Sequence, residues 1–98
     1  MASYLMFFRF THQGLRNIKE SPDRVEAARK TLSGLGITVR QFFALMGHYD
    51  TLFIVEGPDD ETVTSGALSI AGLGNVHTET YRAFTEDEFR TMVRKVAS

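Results

Sequence analysis

Four stretches of the chain are short and rich in aromatic or β-branched residues, and each is bounded by turn chemistry, as strands are. They run near residues 4–10, 37–46, 51–56 and 75–83. Between and after them apolar residues recur at helical spacing. Val25, Ala28, Leu32 and Leu35 follow Ser21-Pro22, an N-cap with proline at the first helical position. Val63, Ala67 and Ile70 follow Pro58-Asp59-Asp60-Glu61, acids that complement a helix dipole. Phe89, Met92, Val93 and Val96 follow Thr85 and Glu88, the spacing of a capping box. A helical turn is expected around Leu15 to Ile18. Strict alternation in the second strand would put Val39, Phe43 and Leu45 on one face and Phe42, Ala44 and Met46 on the other.

The order is β-α-β-β-α-β-α. A right-handed β-α-β unit leaves its two strands parallel with a gap between them. The hairpin formed around Gly47-His48-Tyr49-Asp50 sends the third strand into that gap. The result is an α+β, ferredoxin-like βαββαβ antiparallel sheet of order 4-1-3-2 with a short C-terminal helix. Gly47 is expected to hold a backbone conformation that other residues resist.

The central strands are apolar on both faces, which changes the picture. Leu5 and Phe7 point one way and Met6, Phe8 and Phe10 the other; Leu52 and Ile54 oppose Phe53 and Val55. Both helices of this fold cover the same side, so a monomer should be polar on the opposite one. Leaving about five large apolar side chains wet would forfeit roughly 8–15 kcal/mol, comparable to the stability of a domain. The C-terminal helix could cover part of that surface, but a second sheet covers all of it, so a homodimer or larger assembly is expected. Arg9 follows Leu5 and Phe7, and Glu56 follows Leu52 and Ile54. A dry core tolerates charge worst, so these four apolar residues are assigned to the partner face and Met6, Phe8, Phe53 and Val55 to the helices.

Composition narrows the functional classes. The 98 residues make one domain, 43% apolar and 23% charged. Eleven basic residues against 12 acidic ones, without a basic block, argue against a nucleic-acid partner. Arg90, Arg94 and Lys95 read as a solvated helix end. With no cysteine, disulfides, thiolate catalysis and cysteine-based metal sites are excluded. No apolar run approaches membrane-spanning length, and the start of the chain does not read as a signal peptide, so a cytoplasmic protein with no membrane partner is expected.

The topology gathers one polar neighbourhood where the first strand ends, the hairpin turns and the fourth strand begins. It holds Arg9, Thr11, His48, Tyr49, Asp50, Asn75, His77 and Thr78. A cation, a carboxylate, a phenol and imidazoles are the mix from which binding or acid–base sites are made. Arg9, His48, Tyr49, Asp50, His77 and Thr78 are the candidate ligand-binding residues. The structural alternatives are that Tyr49 and Asp50 shape the hairpin and that Asp50 pairs with Arg9. Glu56 and Arg82, nearer the other sheet edge, are candidates for a salt bridge across the first strand. His12, His48 and His77 match no metal-ligand spacing, so no metal and no cofactor are expected; a haem would need His48 or His77 at a roomy pocket. Gly66 to Gly74 follows a helix and lacks a phosphate-loop lysine.

The ordered set Phe10-Thr11-His12-Gln13-Gly14, Ser21-Pro22-Asp23-Arg24, Gly47-His48-Tyr49-Asp50, Glu56-Gly57-Pro58-Asp59-Asp60, Gly74-Asn75-Val76-His77-Thr78-Glu79-Thr80 and Arg82-Ala83-Phe84-Thr85 resembles the GYD domain family. That family takes its name from the residues that stand here as Gly47, Tyr49 and Asp50. The resemblance runs from about Tyr4 to Phe89 and implies a ferredoxin-like fold of the dimeric α/β-barrel type, with no particular activity. His77 stands where a long basic residue is expected, so any anion contact there would depend on pH. Two functions remain open. One is a homo-oligomeric ligand-binding or assembly module with a small molecule in the cleft between sheet and helices. The other is a small cofactor-independent enzyme, monooxygenase- or isomerase-like, with Tyr49 or His77 moving a proton and Arg9 anchoring an anionic substrate.

Overall fold

The computed structural model describes residues 1–97. Strand β1 (Ala2–Phe10) leads into a short helix α1 (His12–Arg16), a 3-10 turn (Ile18–Glu20) and helix α2 (Ser21–Gly34). Strands β2 (Thr38–Ala44) and β3 (Thr51–Gly57) form the hairpin, followed by α3 (Asp60–Ala71), β4 (Val76–Ala83) and α4 (Glu86–Arg94). The sheet order is β2-β3-β1-β4, the expected order counted from the other edge, and every pairing is antiparallel.

Local chemistry sets the helix starts. The Thr11 hydroxyl accepts the Gly14 amide at 3.0 Å and donates to the Gly74 carbonyl at 2.6 Å, tying α1 to the chain before β4. Asp59 accepts the Thr62 amide at 2.7 Å and caps α3. Thr85 and Glu88 form the expected capping box on α4. Ser21 differs from expectation. The 3-10 turn runs straight into α2, so Ser21 is already helical and caps nothing, while Pro22 still occupies the first turn, where its missing amide costs nothing.

The core lies between the sheet and α2 and α3. Tyr4, Met6 and Phe8 of β1 and Phe53 and Val55 of β3 are buried against Leu32, Ile37, Val63, Ala67 and Ile70. The helix-side half of the face assignment therefore holds. Leu5, Phe7, Leu52 and Ile54 stay half-buried on the helix-free face, beside the exposed Phe43 and Tyr81. The alternation expected in β2 fails at Arg40. Val39 pairs with Val55 and Gln41 with Ile54, leaving Arg40 as the extra residue of a bulge. Val39 and Phe42 consequently both pack on the helix-side core, while Phe43 joins Leu52 on the other face.

One further expectation is corrected. Glu56 and Arg82 do not meet, because Glu56 pairs with Ser3 and Arg82 with Tyr4, and adjacent residues of a strand point to opposite faces. Glu56 binds Arg40 at 2.8 Å instead, while Arg82 lies over the Tyr4 and Phe84 rings and reaches Glu88 at 3.7 Å. Nor does α4 cover the helix-free face: none of its residues is buried and its apolar stripe is exposed. Among the described residues, no helix is long and apolar enough to cross a membrane.

Candidate functional site

The sheet register builds the polar neighbourhood. Arg9 is the last outward residue of β1 and lies directly across from His77 of β4, while Phe8 lies across from Thr78. The hairpin closes with the Leu45 amide donating to the Asp50 carbonyl at 2.8 Å, which sets His48 and Tyr49 beside the end of β1. Arg9, His48, Tyr49, His77, Thr78 and Glu79 line one open hollow of about 190 Å³.

Five of the six residues read from the sequence thus line a common hollow. Asp50 is the sixth and has a different task. Its carboxylate accepts the Phe10 amide at 2.8 Å, and its own amide donates to the Phe8 carbonyl at 2.8 Å. It therefore continues the β1 ladder past the end of β3, and the Arg9–Asp50 ion pair does not form. Arg9 joins none of the ion pairs among the described residues. Glu79 was missed. The available signal was its place two residues from His77, on the same face of β4.

Tyr49 packs its ring. It lies 4.7 Å from the Phe7 ring and 4.8 Å from that of His48, and Phe7 meets Tyr81 edge-on at 5.7 Å. A row of four rings therefore crosses the helix-free face from the hairpin to β4. The neighbouring Glu79 carboxylate raises the pKa of the Tyr81 phenol, with burial adding to the effect. The polar hollow and the apolar face are consequently one continuous surface. No group of three or more His, Asp or Glu side chains placed to hold a metal occurs among the described residues.

A second cavity opens on the helix side, where Phe8, Phe10, Phe42 and Phe53 face Val25 and Ala28 of α2. It offers about 80 Å³, less than half the volume of the polar hollow. The small-molecule cleft expected between sheet and helices is thus a narrow apolar gap, and Arg9, Tyr49 and His77 sit on the opposite side of the sheet.

The chain matches the GYD domain family over residues 4–93. It is a GYD domain. A curated relative from Thermus thermophilus is named glutamine synthetase and cystathionine beta-lyase binding protein. It is 29% identical over 84 residues, covering 85% of this GYD domain and 88% of the relative. Among solved structures, the crystal structure of TTHA0845, also from Thermus thermophilus, superposes with a TM-score of 0.57 at 24% identity. The match covers 87% of this chain and 95% of that one, and it establishes a shared fold.

Proposed function

We propose that this GYD domain is a self-assembling binding module: two copies join by their helix-free sheet faces, and the polar hollow at the rim of that face holds a small anionic ligand. The observation that carries this reading is the apolar surface of Leu5, Phe7, Leu52, Ile54 and Phe43, over which the chain lays no helix. Such a surface on a small domain marks an interface. Stacking two of these sheets about a two-fold axis makes a self-complementary contact. It would also surround each hollow with residues from both copies.

Anion binding is supported by Arg9, a cation without a carboxylate partner among the described residues, beside the imidazoles of His48 and His77. Glu79 on the same rim repels anions and so limits the affinity for any of them. The name of the Thermus thermophilus relative supports extending the reading to protein partners, with the assembled module as the scaffold that presents its outer surfaces to them.

Thermal unfolding in millimolar inorganic phosphate or acetate tests the ligand half of the proposal. The wild-type chain should gain a few degrees, and Arg9→Gln should remove the gain. Equal shifts in both proteins would contradict a site at Arg9.

A further inference from the structure

The rim of the polar hollow carries two charges of opposite sign that do not neutralise each other. Arg9 lies directly across from His77, and Glu79, two residues further along β4, lies across from Phe7. Arg9, His77 and Glu79 therefore share the helix-free face with Phe7, and Arg9 and Glu79 are diagonal neighbours on it. Diagonal neighbours stand about 7–8 Å apart, within reach of long side chains. Even so, neither residue joins any of the ion pairs among the described residues. Glu79 neighbours Tyr81 instead, the next residue on its face of β4, and raises the pKa of that phenol. Both charged residues are exposed. Both line the same hollow of about 190 Å³, beside the rings of His48, Tyr49 and His77, and its size limits the ligand to a small molecule.

We infer that the ligand of this hollow is a small zwitterion, a free α-amino acid, with its carboxylate on Arg9 and its ammonium on Glu79. The inference rests on the reading of the hollow as a site for an anionic group, and it narrows that reading. Electrostatics decides between the candidates. The Coulomb energies of Arg9 and Glu79 with a lone anion have opposite signs, and they are similar in size where the two distances are similar. A carboxylate without an ammonium therefore gains from Arg9 and loses to Glu79, and a simple amine does the reverse. A molecule carrying both charges gains from each residue. The hydrogen-bonding groups match as well. A guanidinium presents paired N–H donors to a carboxylate, and an ammonium brings three donors for the Glu79 carboxylate to accept. Unperturbed imidazoles lose their charge above neutral pH, so Arg9 and Glu79 set the balance there. Tyr49, packed 4.7 Å from the Phe7 ring, offers an apolar wall to the side chain of the amino acid.

NMR titration of the full chain tests this at about pH 8, above the range in which unperturbed imidazoles titrate. The probes are L-alanine, propionate, which lacks the ammonium, and ethylamine, which lacks the carboxylate. L-Alanine should bind about threefold more tightly than either partial analogue, the size expected of one exposed ion pair. It should also move the backbone amides of Arg9, His77 and Glu79. Glu79→Gln should abolish the advantage of L-alanine over propionate and raise the affinity for propionate. Arg9→Gln should weaken L-alanine and propionate alike. Both substitutions fall on exposed residues, and circular dichroism checks that each variant is folded. Propionate binding through Arg9 as tightly as L-alanine overturns the zwitterion and leaves the anion site standing. If neither probe responds to Arg9→Gln, the anion site falls and the zwitterion with it. An L-alanine advantage that survives Glu79→Gln also overturns the inference, because the ammonium then lies elsewhere.

Discussion

The Asp50 carboxylate holds the Phe10 amide at 2.8 Å, so the aspartate of the hairpin finishes the hydrogen-bonding edge of β1 and leaves Arg9 free of it. A charged acceptor on a part-buried amide contributes about 1.5–3 kcal/mol. Asp50→Ala should lower stability by that amount in urea unfolding, and Asp50→Asn, which keeps an acceptor, by less. An unchanged midpoint for Asp50→Ala would show that water replaces the carboxylate.

Gly14 and Gly47 separate two reasons for glycine. A Cβ at Gly14 would collide with the Asn75 carbonyl oxygen, a backbone atom that cannot move aside cheaply. Gly14→Ala should cost about 1–3 kcal/mol through overpacking. At Gly47 there is open space, but φ is +156°. Gly47→Val should cost about 1 kcal/mol through backbone conformation alone. Thermal melts of the two variants would contradict this ordering if Gly47→Val proved the more damaging.

Tyr4 supplies an alkaline limb to stability. Its hydroxyl donates to Asp60 at 2.6 Å, and burial, then the Asp60 carboxylate, push its pKa up to about 12, with Arg82 pulling the other way. The folded value lies above the unfolded value of 10.0. The contribution is therefore full below pH 10 and fades as pH rises toward 12, because the unfolded chain ionises first. The loss is on the order of 2 kcal/mol. Tyr4→Phe should flatten this limb in urea titrations between pH 9 and 12 while lowering stability at pH 7. An identical slope in the variant would assign the limb to other groups.

Much of this fold was legible because it rests on local signals. The capping box at Thr85 and Glu88, the two-sided alternation of β1 and β3, and the turn at Gly47 each act over a few residues, and the strand order follows from them. Arg40 was illegible because its bulge carries neither glycine nor proline to mark it, and it resets the faces of β2. The candidate site was read as a neighbourhood but not as a set of contacts. Topology brings Arg9, His48, Tyr49 and His77 together. Whether Asp50 turns to a guanidinium or to an amide depends on where β3 ends relative to β1, a matter of register. The stripe on α4 was evident from spacing, but spacing does not say what covers it.

The central claim is that the helix-free sheet faces join two chains, and light scattering coupled to size exclusion at micromolar concentration tests it most directly. Wild-type protein should report at least twice the 11.0 kDa chain mass. Phe7, half-buried on the helix-free face, and Phe8, buried beneath the helices, are adjacent in sequence and opposite in consequence. Phe7→Asp should run as a folded monomer, whereas Phe8→Asp should unfold. A wild-type chain eluting at 11.0 kDa, or a Phe7→Asp chain retaining the full assembled mass, would contradict the account.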